Sequence, residues 1–165
     1  MFQMLQQLWG AAQFLGLSNN MIQKGLKQIV VAGRFESVGN EAKPVIVDFA
    51  HSPKALECLL ETARQFVQNR LICVASCNGD RDRSKRPLMG QIATSLSDHT
   101  ILTSGSPRSE SAEQILVDMQ TNLALNRLYQ AIPDRRLAIE IALDIATDQD
   151  LVIVAGHGCD AFIEN

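Results

Sequence analysis

In the stretch VIVDFAHSPKALECLL, residues 45–60, two kinds of periodicity meet. Val45-Ile46-Val47 is a short β-branched run of the sort that forms a buried strand. At Ser52-Pro53 the chain turns, and beyond it the apolar residues return at helical spacing. Asp48 and His51 stand at the junction, where the strand ends and the helix begins.

The same alternation repeats outward from this stretch. Apolar runs at 44–49, 70–76, 99–103 and 151–155 predict strands, with weaker ones near 34–38 and 127–131. Helical periodicity spans 53–67, 86–96, 111–125 and 134–146. Strands separated by helices of this length imply βαβ units. The expected fold class is α/β, a Rossmann-like, mainly parallel sheet flanked by helices, with a short N-terminal helical pair. Such sheets bind ligands at the carboxyl ends of their strands, beside a topological switch point.

Residues 2–17 read as the first helix of that pair, with Phe2, Leu5, Leu8, Trp9, Ala12 and Leu15 recurring at three- and four-residue steps and Gly16 as its stop. Ser18 reads as the N-cap of the second, which carries Met21, Ile22, Leu26 and Ile29. The expected organisation is a helical tail of a larger unit at 1–29 and an α/β domain at 30–165. Gly39-Asn40 suggests a hairpin turn.

Composition narrows the class. Hydrophobic residues make up 46% of the 165, charged ones 20%, and the net charge is -3. This is ordinary globular composition, and its acidic balance argues against a general nucleic-acid binder. No apolar run approaches the ~20 residues a membrane helix needs, and no signal peptide is evident, so the expected location is cytoplasmic. The four cysteines lack the paired spacing of a zinc site, so no metal site is expected. Cys58 and Cys73 lie within apolar patterns and read as small core residues.

Each strong strand runs out into a polar segment. Asp48, His51 and Ser52 come after the first; SCNGDRDRSKRP, residues 76–87, after the second; SGSPRSE, residues 104–110, after the third; GHGCD, residues 156–160, after the fourth. Taken singly, each has an ordinary explanation: Asp48 as a turn cap, His51 as a turn histidine, the basic run as a solvated loop. Turn chemistry supplies Gly, Ser, Asn and Pro at such places. It does not call for His51, for Arg81, Arg83, Lys85 and Arg86 in one loop, or for Arg108. All four exits fall on one edge of the sheet, and an edge rich in cations suits a phosphate or carboxylate.

These segments also resemble a known family. VAGRFE, VDFAHSPKAL, NGDRDRSKRPLMG and SPRSE occur in the order and spacing of the C-terminal domain of Mur ligases. The resemblance is strongest to the branch that adds the third amino acid, usually meso-diaminopimelate, to UDP-MurNAc-L-Ala-D-Glu. It covers about residues 28–160 and implies a three-domain, ATP- and Mg2+-dependent amide ligase of peptidoglycan synthesis. Its central domain cleaves ATP, and its third domain closes over the nucleotide and presents the amino acid. By the resemblance, the missing N-terminal and central domains, UDP-MurNAc-dipeptide and a diamino acid are partners and substrates. No nucleic acid or membrane is implied, and this domain alone holds no catalytic residue and no tightly bound cofactor.

Residue by residue, the resemblance implies nucleotide contacts for Arg34, Asp48, Phe49, His51 and Ser52, with Phe49 replacing the usual Tyr. Asp80, Arg81, Asp82, Lys85 and Arg86 match the basic loop beside the active site. Arg108, with Glu110, Gly156 and Asp160, matches the segments facing the amino-acid substrate, Arg108 as the clamp on its carboxylate. Asn78 replaces the first Gly of the family's Gly-Gly-Asp. Two further departures bear on amino-acid specificity: Gly105-Ser106 replaces Asp-Asn, and His157-Gly158-Cys159-Asp160 replaces Lys-Gly-His-Glu. A diverged, non-catalytic binding or scaffold module is the alternative those departures support. Cyanophycin- and folylpolyglutamate-type ligases share the strand-end histidine and proline, but lack the Asp-Arg-Asp-x-x-Lys-Arg-Pro loop.

Overall fold

Strand β3, Leu71–Cys77, is buried along its whole length. Only a strand in the middle of a sheet covered on both faces can be so. The computed structural model describes residues 2–27, 31–38, 43–124 and 126–157, the side chains of 2–6 and 27 apart. Two helices, α1 (Phe2–Phe14) and α2 (Asn19–Lys27), precede β1 (Glu36–Ser37) and β2 (Val45–Asp48). Then α3 (Pro53–Arg64), β3, α4 (Lys85–Leu96), β4 (His99–Ser104), α5 (Ala112–Met119), β5 (Tyr129–Ala131), α6 (Arg135–Ile145) and β6 (Leu151–Ala155) alternate.

The sheet order is β1-β2-β6-β3-β4-β5. All pairings are parallel except β1 with β2, where Glu36 faces Val47. The strands alternate their side chains between two cores. Leu71, Cys73, Ala75 and Cys77 face α3, α4 and α5, meeting Leu56, Leu60, Met89 and Ile115. Ile72 and Val74 face α6 and meet Ala138 and Ala142. Leu56 and Leu60 are completely buried, and each contributes about 1.5–3 kcal/mol by leaving water. The chain steps outward from β2 through β3 and β4 to β5, then returns along the opposite face to insert β6 between β2 and β3. That reversal is the topological switch point.

The boundaries obey local chemistry. Ser52 and Asp134 cap α3 and α6, accepting from the amides of Ala55 (3.4 Å) and Leu137 (2.9 Å). Helix α5 ends at Met119, short of the expected 125, and Asn122 adopts the left-handed conformation that breaks a helix. Cys73 is buried as expected, but Cys58 is exposed. It lies two residues from Leu56, on the side of α3 away from the buried Leu56, Leu59, Leu60 and Ala63 stripe. The N-terminal pair forms at the expected places, and Gly16 makes the turn at φ 79°. It leaves Phe14 92%, Leu15 75% and Met21 61% exposed. Of the expected apolar stripe, Leu8 is exposed and Trp9 half-buried, while Phe2 and Leu5 lie outside the described side chains. Gly39-Asn40, Cys159 and Asp160 lie outside the described residues. No described helix is long and apolar enough to cross a membrane.

Candidate functional site

Because β2, β3, β4 and β6 run parallel, their carboxyl ends open on one edge, around a cavity of about 520 Å³. The β2 exit supplies Phe49 and His51. Ser76, Cys77, Asn78, Arg81, Asp82 and Lys85 come from the β3 exit, Ser106 and Arg108 from the β4 exit, and Gly156 and His157 from the β6 exit. Seven residues to which the resemblance gives a site role therefore meet here, Phe49, His51, Arg81, Asp82, Lys85, Arg108 and Gly156, together with Asn78, Ser106 and His157 from the departures. A second hollow, about 430 Å³, includes Phe35, Phe66 and Asp150 in its lining. Its one buried carboxylate, Asp150, is taken up by Arg70, Asn69 and Thr147.

One rim of the cavity is a stack. The Arg34 guanidinium lies 4.3 Å from the Phe49 ring centroid, a cation–π contact. Phe49 in turn meets His51 edge to face at 4.8 Å. Lys85 donates to the His51 carbonyl at 2.7 Å, tying α4 to this exit. Asp48 builds the stack from behind. One of its carboxylate oxygens accepts from the Phe35 amide (2.8 Å), the other from the Ala50 amide (2.8 Å). Gly33 and Phe35 flank Arg34 at φ 66° and 50°. A non-glycine residue pays about 1–3 kcal/mol for that conformation, and here the Asp48 bond holds it. Asp48 thus serves the rim through the backbone, and the Ser52 hydroxyl is occupied at the head of α3.

The basic loop divides in two. Arg86 is completely buried and donates Nη1 and Nη2 to the two oxygens of Glu110 at 2.8 and 2.7 Å. It also reaches Asp118 at 2.8 Å and the Asn78 carbonyl at 3.2 Å. Glu110 takes a third bond from the Asp80 amide at 2.7 Å, and Asp80 accepts from the Ser109 hydroxyl at 2.6 Å. Arg86, Glu110 and Asp80 thus clasp the β3 and β4 exits to each other and do not line the cavity. The Arg86 bonds hold the Glu110 carboxyl down at about 2. Asp80 and Arg108 sit in the left-handed region, at φ 51° and 55°. Arg81 and Arg108, by contrast, are exposed at the cavity and have no acidic partner among the described residues. Asp82, the acid of the described lining, accepts from the Ser84 amide and hydroxyl at 2.9 and 2.7 Å, and those bonds lower its pKa.

Residues of other roles complete the edge. Arg135, in the first turn of α6, donates to the Ser76 hydroxyl at 2.9 Å, and burial pushes its pKa down to about 10. Its only sequence signal was its place just after the Asp134 cap. Gly156, at φ 104°, passes so close to Ser76 that a Cβ would lie 2.4 Å from its hydroxyl oxygen. Burial pushes the Cys77 thiol up to about 11, so it is no nucleophile at neutral pH. Among the described residues no group of three His, Cys, Asp or Glu is placed to hold a metal ion.

The chain's similarities run along this frame. The family described as "Mur ligase, glutamate ligase domain" matches residues 33–158. The UDP-N-acetylmuramoyl-L-alanyl-D-glutamate–2,6-diaminopimelate ligase of Syntrophomonas wolfei is 45% identical over 147 residues, 87% of this chain and 30% of that protein. The ligase of the same description from Aquifex aeolicus is 41% identical over 153 residues, 93% of this chain and 32% of that protein. A solved structure of such a ligase superposes with TM-score 0.73 at 38% identity, over 90% of this chain and 31% of its own. A folylpolyglutamate synthase/dihydrofolate synthase from Yersinia pestis, complexed with AMPPNP and Mn ion, gives 0.64 at 26%, over 85% and 32%. The chain spans about a third of the length of these relatives.

Proposed function

This chain belongs to the Mur ligase family as its glutamate ligase domain, and from that premise we propose its part in the reaction. It is the amino-acid-presenting and nucleotide-closing domain of an ATP-dependent ligase that extends a UDP-MurNAc-dipeptide with a diamino acid in the cytoplasm. The helical pair at 1–29 is the end of the domain that precedes it, and Phe14, Leu15 and Met21 face that domain. The observation that supports the reading best is the cavity at the switch point, with Arg81 and Arg108 unneutralised inside it and the Arg34–Phe49–His51 stack on its rim.

The residues fit an anion. Arg108 offers a planar fork suited to the carboxylate of an incoming amino acid. Arg34 and His51 present a cation and a flat edge on the β2 side, where a nucleotide would rest. Nucleotide and Mg2+, when bound, supply activation of the acceptor carboxyl. This chain's residues hold the amino acid, orient its amine and shut out water. The domain has no catalytic residue of its own and turns nothing over alone. A non-catalytic module is the competing reading, drawing on Gly105-Ser106 and His157.

Fusing residues 1–165 to the two preceding domains of a diaminopimelate-adding relative tests this directly. The chimera is expected to form tripeptide, and the chain alone to show no nucleotide turnover with ATP, Mg2+, UDP-MurNAc-dipeptide and diaminopimelate. A folded chimera without ligase activity favours the module, and turnover by the chain alone contradicts the division of labour.

A further inference from the structure

Two departures from the family pattern, far apart in sequence, touch in the fold. Asn78 leaves β3 and Gly105 leaves β4. The Asn78 Oδ1 accepts from the Ser106 amide at 2.9 Å, and a Cβ added at Gly105 would lie 2.0 Å from that same oxygen. The Asn78 side chain therefore fills the space that any side chain at 105 would enter. Neighbouring backbone offers no slack: Gly79 donates to the Ser106 carbonyl at 2.8 Å, and a Cβ at Gly79 would meet the Pro107 carbonyl at 1.7 Å. One amide side chain has replaced what the opposite loop would otherwise present.

The bond to Ser106 decides which way the amide faces. With Oδ1 committed to a backbone N–H, the remaining Nδ2 is a donor. Nδ2 has no partner among the described residues, and Asn78 lines the cavity. Around it stand Arg81, Arg108 and Lys85, donors that outnumber the one carboxylate of the described lining, Asp82, whose Oδ1 is taken by Ser84. A ligand seated here must bring acceptors. Once Arg108 has taken one carboxylate, the Asn78 amide and Arg81 call for a second.

We propose that Asn78 is the specificity-determining residue of this cavity, donating its Nδ2 amide to the second carboxylate of a dicarboxylic amino acid. The proposal rests on the ligase reading above. It makes the β3 exit, rather than the β4 exit, the place where the far end of the substrate is read.

Diaminopimelate and L-lysine differ by that one carboxylate and serve as the probes. Titrating each into the 165-residue chain and following backbone amide shifts by NMR is expected to show at least tenfold tighter binding of diaminopimelate. Asn78→Asp keeps an acceptor for the Ser106 amide and replaces only the donor with a negative oxygen. It is expected to melt within a few degrees of wild type and to lose that preference. N78G/G105A is the second variant, since it removes the amide and refills the space from the other loop. It is expected to fold better than G105A alone and to show the same loss. A preference that survives in both variants overturns this proposal and leaves the ligase reading standing. A wild-type chain that shifts with neither probe overturns the proposal and the amino-acid-presenting reading together.

Discussion

Arg86 and Glu110 form a bidentate pair, 2.8 and 2.7 Å, that closes the β3 exit onto the β4 exit. The guanidinium is completely buried and also holds Asp118. Removing it leaves Glu110 and Asp118 with only the exposed Arg83, 3.9 and 3.0 Å away, as counter-charge. Truncating one partner of a buried pair costs about 3–5 kcal/mol. Arg86→Met is therefore expected to lower the unfolding free energy by an amount in that range. Arg81→Met, at an exposed cation with no acidic partner, is expected to change it by less than about 0.5 kcal/mol. Chemical denaturation of the two variants in parallel checks this, and equal effects would mean that Arg86 is not the clasp.

The same clasp sets the acid limit of the fold. Bonds from Arg86 hold Glu110 at about 2, and the Arg70 bonds hold Asp150 well below the usual carboxylate range. Unfolded carboxyls titrate near ~4. A carboxyl depressed in the folded state stabilises the fold fully above its unfolded pKa, and that contribution is lost as pH falls through the folded value. Melting temperature is expected to be flat from pH 7 to about 5 and to fall steadily toward pH 2. In Arg86→Met the acid slope should be shallower, because Glu110 has lost the bonds that depress it. An acid profile identical to wild type would remove Arg86 as the cause.

Arg108 makes a separate prediction. Arg108→Lys in a ligase containing this domain should weaken use of the amino acid by about ten- to a hundredfold, or about 1.5–3 kcal/mol, since lysine cannot reproduce the two-donor fork. Use of ATP should change little if the nucleotide rests on the β2 side, as proposed for Arg34 and His51. Steady-state kinetics with each substrate varied in turn decides it, and unchanged constants for the amino acid would exclude Arg108 as its clamp.

The N-terminal helices should open first. Phe14, Leu15 and Met21 are largely exposed, and few buried contacts mean low local stability. Amide hydrogen exchange is expected to be fast across 2–27 and slowest in β3 and β6. Alternatively the chain self-associates through this exposed apolar surface, visible by light scattering. A monomer with a protected helical pair would contradict the reading that these residues belong against a preceding domain.

Much of this molecule was legible in one dimension. Periodicity placed every strand and helix of the α/β domain, because burial on both faces leaves β6 apolar throughout and β3 apolar but for Ser76, and a single stripe marks each helix. Gly16 and Ser18 marked the boundary between the N-terminal helices through backbone freedom and capping. The convergence of four polar exits was clear once the strands were read as parallel. What periodicity could not decide was partnership within that edge. Arg81 and Arg86 look alike in the run DRDRSKR, yet one faces the cavity and the other is buried on Glu110. Asn78 and Gly105 read as unrelated departures until β3 and β4 pair, and Arg135 reaches Ser76 across 59 residues of chain. The first two of these contacts depend on β3 pairing with β4, and the last on α6 packing across the far face of the sheet. Strand order is set by the competition among whole layers for burial, and no local pattern carries it.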